Sequence, residues 1–187
     1  MKLRITDIPP EGLALDFEIA AEHLAARIEQ AGAVATKSGA VPPPSYEVTC
    51  PPKCELKLHL EGSSVFIDGR SEAMLQTVCA RCAEEAKLRL SVPVKLTLKP
   101  KSRKHVIGAN DEGLEFGVYD GEEINCSDIV EEYLVLALPF TVLCSDTCQG
   151  LCPGCGANLN REKCRCREKE EPAAESPFSV LRNLKIQ

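Results

Sequence analysis

Six cysteines, Cys144, Cys148, Cys152, Cys155, Cys164 and Cys166, fall within 23 residues in the run LCSDTCQGLCPGCGANLNREKCRC. Thiols that dense hold a metal ion or exchange electrons. A tetrahedral zinc ion takes four soft donors at about 2.3 Å. Cys152-Pro-Gly-Cys155-Gly suits this, because two intervening residues form a tight turn and Gly154 and Gly156 relieve its backbone strain. Cys164-Arg-Cys166 supplies a second pair, since side chains at i and i+2 of an extended strand share one face. The first-choice zinc ligands are therefore Cys152, Cys155, Cys164 and Cys166. Cys144 and Cys148, separated by three residues, are alternates to the second pair, and spacing does not choose between them.

Two further pairs lie upstream. Cys79-Ala-Arg-Cys82 sits between two strand-like runs, and Cys50 and Cys54 bracket Pro51-Pro52-Lys53. Together Cys50, Cys54, Cys79 and Cys82 suffice in number for a second metal site; the bland reading is four unligated thiols. A thiol or metal-dependent redox enzyme acting through Cys79 and Cys82 is the rival function. A thioredoxin-like pair, however, requires a βαβ setting and a helix N-terminus to lower a thiol pKa, and neither is evident. Cys148-x3-Cys152-x2-Cys155 has the spacing of the cluster loop of radical enzymes that cleave S-adenosylmethionine. In those the loop lies early, ahead of a large α/β barrel, whereas only 32 residues follow Cys155. An iron–sulfur cluster on four thiols is the other metal reading. His23, His59 and His105 have no partner in the pattern and read as surface residues. No Ser/His/Asp arrangement, phosphate loop or carboxylate pair stands out, so no catalytic residue is assigned.

The elements that must position these thiols read as an α+β fold, mainly β: an antiparallel sheet or barrel-like domain with two helices and a small C-terminal zinc knuckle. From Glu55 to Leu98 apolar and polar residues alternate, with Gly62-Ser63-Ser64 and Asp68-Gly69 as turn signals. FGVYDGEEIN reads as a hairpin turning at Asp120-Gly121. Helices are expected near 20–31, stopped by Gly32, and over 128–138, capped by Ser127 or Asp128 and ended by Pro139. Residues 36–52 read as a Pro-rich loop. The expected division is a β domain over 1–143, the cysteine knuckle over 144–166, and a charged linker with a short C-terminal helix over 167–187.

Hydrophobic residues make up 44% of the 187-residue chain, enough for a real core. No run approaches the roughly 18 apolar residues of a membrane span, and no signal-like segment follows Lys2 and Arg4. A cytoplasmic protein with no membrane partner is expected, and there closely spaced cysteines more often ligate metal than pair. Net charge is −6, so contact with a polyanion requires a local basic patch. Lys87, Arg89, Lys95, Lys99, Lys101, Arg103 and Lys104 occupy an acid-free stretch, and Arg161, Lys163 and Arg165 thread the last cysteine pair. These are the candidate RNA-binding residues, through phosphate rather than base contacts. The bland reading is a strand with solvated lysines.

MKLRITDIPPEGL at the start, CARC at 79–82, DIVEEYLVLALP, then LC…C…GLCPGCGANLN…CRC, and PFSVLRNLKIQ occur in that order. This order resembles the YceD family, also called the DUF177 domain. The resemblance implies a non-catalytic role in the synthesis, processing or stability of 23S ribosomal RNA. It implies ribosomal RNA or a pre-50S particle as partner, with assembly proteins alongside, and a structural rather than catalytic metal site. Ala83 departs from the family pattern, which has a bulkier apolar residue there, and the insertion with Cys50 and Cys54 lies outside it. A protein-only adaptor is the third reading, which the acidic net charge suits.

Overall fold

The computed structural model describes residues 1–37, 44–101, 116–164 and 166. Elements follow in the order β1 (Lys2–Arg4), β2 (Leu13–Glu18), α1 (Ala21–Lys37), β3 (Glu47–Val48), β4 (Lys53–Glu61), β5 (Ser64–Val78), β6 (Glu85–Pro100), β7 (Phe116–Tyr119), β8 (Glu123–Asn125) and α2 (Cys126–Leu136). A six-stranded open sheet runs β2-β4-β5-β6-β7, with β3 also paired to β5. All its pairings are antiparallel except β6 with β7. β1 and β8 form a separate antiparallel pair. The fold is thus mainly strand with two helices, and its sheet is open rather than barrel-like.

β5 and β6 form one long hairpin, in register from Val65↔Leu98 to Val78↔Glu85. The sequence signals divide this stretch into shorter strands with a turn at Asp68-Gly69. Instead Gly69 lies inside β5, opposite Leu56 of β4. A Cβ there would collide with the Glu55 carbonyl oxygen and the Leu56 Cα, so the glycine answers a close backbone approach rather than a turn. β7 and β8 are likewise not a hairpin. Gly121 does turn the chain, at φ +79°, but the two strands join different sheets.

Strand alternation decides which side chains reach the core. In β5 the odd-numbered Val65, Ile67, Ala73 and Leu75 are buried, and in β6 the even-numbered Ala86, Val92, Val94 and Leu98. Leu24 and Ile28 of α1 and Val130 and Leu134 of α2 belong to the same cluster. The odd phase of β5 carries on to Cys79, which is 2% exposed. The hairpin tip therefore sends its thiol to the core side of the sheet.

α1 continues through Gly32 to Lys37, so the glycine does not stop it. Its cost of roughly 1 kcal/mol relative to alanine is outweighed by the good helix formers around it. α2 begins at Cys126 with Asn125 as N-cap and no side-chain cap; Ser127 accepts from the Met1 amine instead. Tyr133 of α2 donates to the Lys95 carbonyl of β6 at 2.8 Å, and Tyr46 donates to the Pro139 carbonyl beyond the helix. These bonds fix where the chain leaves α2 on its way to the cysteines. The expected loop 36–52 lies partly outside the described residues; within it the chain forms the end of α1 and β3. The proposed helix within 167–187 lies wholly outside them. No helix among the described residues is long and apolar enough to cross a membrane.

Glu131 is 6% exposed on α2. Burial raises its pKa and nearby Asp128 adds to this, while Arg27 and His23 oppose it. A carboxyl whose folded pKa is raised stabilises the fold most below its ordinary value of 4.5 and costs stability as pH rises through the raised value. Glu131→Gln is therefore expected to be more stable than the parent at neutral pH, with the gap closing as pH falls through the raised value toward 4.5 and gone below it. Parallel denaturant titrations across pH measure that gap; a gap independent of pH would sink the assignment.

Candidate metal centres

Eight of the eleven cysteines gather in two groups of four at the tip of the β5–β6 hairpin. Cys79, Cys82, Cys144 and Cys148 form one, and Cys152, Cys155, Cys164 and Cys166 the other. Within each group all sulfurs lie within 4.8 Å of one another. The closest approaches are 3.8 Å for Cys79–Cys148, 3.5 Å for Cys82–Cys144, 3.0 Å for Cys152–Cys164 and 3.5 Å for Cys155–Cys164. Four sulfurs each about 2.3 Å from one ion stand about 3.8 Å apart, so both groups fit a single tetrahedral ion. A cluster of several metal atoms would hold its thiolates farther apart.

The structure brings the first-choice ligands Cys152, Cys155, Cys164 and Cys166 together. The alternates Cys144 and Cys148 do not replace Cys164 and Cys166; they complete the hairpin group. The second set expected from number alone is rearranged, because Cys79 and Cys82 meet Cys144 and Cys148 and not Cys50 and Cys54. Cys54 points into the core, with its sulfur 3.5 Å from Ser71 Oγ, while Cys50 is exposed. β4 carries Cys54 far down the sheet from the hairpin tip: its pairing with β5 ends at Glu72, seven positions before Cys79. Cys126, at the start of α2, is fully buried away from both groups.

Both groups are built on the same knuckle. The Cys79 N–H donates to the Glu84 carbonyl at 2.7 Å and Ala83 N–H to the Cys79 carbonyl at 2.9 Å. At the other knuckle the Cys152 N–H donates to Ala157 and Gly156 N–H to the Cys152 carbonyl, each at 2.8 Å. The closing residue has positive φ in both, +57° at Ala83 and +74° at Gly156. Glycine advertised the second turn in the sequence. Alanine hid the first, although C-x-x-C between two strands was itself a signal for it.

The two groups are docked on one another. Leu151 N–H donates to the Arg81 carbonyl at 3.0 Å, and Arg81 Nη1 to the Cys148 carbonyl at 2.9 Å. Gly150, at φ +78°, lets this contact close, since a Cβ there would stand 3.1 Å from the Arg81 oxygen. Asn160 Nδ2 donates to the Cys148 sulfur at 3.4 Å, Asn158 Nδ2 to Glu84 at 3.2 Å, and Arg161 pairs with Glu84 at 2.8 Å. Spacing gave no sign of the roles of Asn158 and Asn160.

Crowding sets the thiol acidities. Burial raises Cys79, but the backbone N–H groups of Arg81, Cys144 and Cys82 outweigh it and bring the thiol down to about 6. Its neighbour Cys144 is pushed up to about 12 by hydrogen bonding with Cys82 and Cys148 and by burial. Cys148 is lowered, first by Asn160. In the other group Cys152 is lowered to about 6 by Cys164 and by the N–H groups of Gly154 and Cys155. Cys166 is pushed up to about 12 by Cys155 and Cys164. Sulfurs this close disfavour ionising together, and a dication bound among them would favour four thiolates with proton release.

The basic segment is less segregated in space than in sequence. Cross-strand register sets Lys95 beside Asp68 (4.0 Å), and Arg89, opposite Met74, reaches diagonally to Glu72 at 2.9 Å. Lys87 lies 3.9 Å from Glu85, and Lys101 is 3.4 Å from Asp120. Lys99 also has a partner, and Lys163 lies on the surface of the cysteine module. Arg103, Lys104, Arg165 and His105 lie outside the described residues. His59 stacks on Phe66, with ring centroids 4.8 Å apart.

Residues 67–185 match the family described as Large ribosomal RNA subunit accumulation protein YceD. Over 61 residues, 33% of this chain and 19% of the relative, the sequence is 36% identical to Large ribosomal RNA subunit accumulation protein YCED homolog 1, chloroplastic, of Arabidopsis thaliana. Over 119 residues, 63% of this chain and 56% of each relative, it is 29% identical to uncharacterized proteins of Mycobacterium bovis and Mycobacterium tuberculosis. The chain thus spans little more than half the length of these relatives at most. No solved structure matches it.

The paired knuckles make a reciprocal test. Left-handed backbone costs a non-glycine residue roughly 1 kcal/mol. Ala83→Gly is expected to raise the stability of the metal-loaded chain by up to about 1 kcal/mol, and Gly156→Ala to lower it by a similar amount. Denaturant midpoints measure both; a destabilised Ala83→Gly chain would refute the strained-turn reading.

Proposed function

The chain belongs to the YceD family of large ribosomal RNA subunit accumulation proteins, and we propose on that footing that it is a non-catalytic ribosome-biogenesis factor of the cytoplasm. It acts in the synthesis, processing or stability of 23S ribosomal RNA. Its partner is that RNA or a pre-50S particle, and Cys152, Cys155, Cys164 and Cys166 hold a structural zinc ion.

One observation carries the non-catalytic reading. Four thiolates fill the tetrahedral shell of an ion, which leaves no position for water or substrate; catalytic zinc keeps one open. Bound zinc supplies rigidity to a stretch of chain poor in apolar residues, and the residues around it supply shape. The rival redox reading has less support, because the thiols of Cys79 and Cys82 each have a third and a fourth sulfur in contact range. A dithiol exchanging electrons needs a free path to its attacking sulfur, and Cys79 and Cys82 are both buried.

The paired charges shape the partner. Lys87, Arg89 and Lys95 meet a phosphate by giving up part of their contact with Glu85, Glu72 and Asp68, which offsets some of the gain. Binding shared between RNA and assembly proteins on a particle fits this better than capture of free RNA. Lys87, Arg89, Lys95, Lys99, Lys101, Arg161 and Lys163 are the described residues proposed for the RNA side.

Depleting the protein in the organism that encodes it is expected to lower the ratio of 23S to 16S ribosomal RNA, and crosslinking in cells to recover 23S precursor. An unchanged ratio would refute the biogenesis role. Recovery of proteins alone would refute RNA contact and favour the adaptor reading.

A further inference from the structure

The eight sulfurs at the hairpin tip are more than one zinc ion requires. The four that reach furthest apart in sequence belong to the hairpin group: Cys82 meets Cys144 across 62 positions and Cys79 meets Cys148 across 69. Cys79, Cys82 and Cys148 are 2–3% exposed, while Cys144 opens to solvent. We infer that Cys79, Cys82, Cys144 and Cys148 form a second structural zinc site, which clamps the tip of the β5–β6 hairpin to the chain leaving α2.

Three features of the site support a metal over four incidental thiols. The first is phase. The alternation that buries Leu75 and Thr77 continues to Cys79, so the hairpin delivers its sulfurs to the face over which the chain from α2 returns. The second is backbone preparation. Ala80 N–H bonds the Val142 carbonyl at 2.9 Å, which brings the approaching chain alongside the knuckle just before Cys144. The Cys148 N–H bonds the Ser145 carbonyl at 3.1 Å, a single turn that returns both of its sulfurs to one side. The third is the strained knuckle itself. Ala83 accepts φ +57° to build the same N–H pattern that Gly156 builds in the Cys152 knuckle. A surface turn with no ligand to hold has no reason to keep that conformation in alanine.

The donor chemistry identifies the ion class. Four thiolates with no carboxylate or imidazole select a soft or borderline cation, and separations of 3.5–3.8 Å fit one ion. Zinc suits a closed shell with no redox role. The clamp is also the one long-range closure among the two groups, since the other set spans only residues 152–166. Closing a long loop removes more chain entropy than closing a short one. The module with Cys152 then stands on the clamp, through Arg81, Glu84 and the bond from Asn160 to Cys148.

The site does not depend on the ribosomal reading, and metal content tests it directly. Full-length protein purified under reducing conditions is expected to hold two zinc ions per chain by elemental analysis. C152S/C155S and C79S/C82S are each expected to drop to one. C144S/C148S, which removes the same site from the opposite side, should match C79S/C82S. Should the hairpin variants fail to fold, cobalt titration of the metal-free parent decides. Its thiolate-to-cobalt absorption is expected to plateau at two equivalents. A plateau at one, a single zinc ion in the parent, or two ions retained in C79S/C82S would overturn the proposal. Iron with a visible absorption band in its place would overturn the zinc assignment.

Discussion

Like charge at short range is the constraint on which this molecule's functional end depends. Eight thiols sit in two groups with sulfurs 3.0–3.8 Å apart at their closest, and no more than part of each group can ionise unaided. A dication bound in each would turn that repulsion into the strongest local attraction available. The stretch from Cys144 to Cys166 needs it, because its buried side chains are little more than Cys148 and Cys152. Hydrophobic burial, which holds the rest of the fold, has almost nothing to act on there.

The sheet makes that end possible. β5 and β6 run on together as far as Val78↔Glu85, past the last pairing of β4 at Lys53↔Glu72. The hairpin tip thus reaches past β4, flanked on that side only by the short β3 at Leu75 and Gln76, and carries Cys79 and Cys82 at the end of the core. α2 crosses the same face, anchored by Val130 and Leu134 in the core and by Tyr133 on β6. Its exit is fixed again by Tyr46 at Pro139. The path from there to Cys144 is short, so the geometry of the hairpin group follows from the packing of α2 on the sheet.

The two thiol groups and the family membership point the same way. An ion held by four thiolates would have no open position for a substrate. The surface around it carries cations whose charge is partly spent on neighbouring carboxylates, such as Arg161 on Glu84 and Arg89 on Glu72.

Some of this was legible in the residues alone. Period-two alternation identified the strands, the apolar face of DIVEEYLVLALP identified α2, and Cys-Pro-Gly-Cys-Gly identified the turn that gathers Cys152 and Cys155. All three are encoded at spacings of a few residues, where backbone geometry alone relates one side chain to the next. Gly69 misled because a glycine signals backbone freedom without saying whether a turn or a close neighbour needs it. The partners of Cys79 and Cys82 were decided only by tertiary structure. Cys50 and Cys54 were nearer in sequence, but strand register carries Cys54 into the core beside Ser71, while the exit of α2 brings Cys144 and Cys148 across more than 60 positions. Charge followed the same rule. An acid-free stretch in sequence became a paired surface because antiparallel register sets Asp68 and Glu72 alongside Lys95 and Arg89. Local spacing fixes which chemistry a segment can offer; the packing of distant segments fixes what it meets.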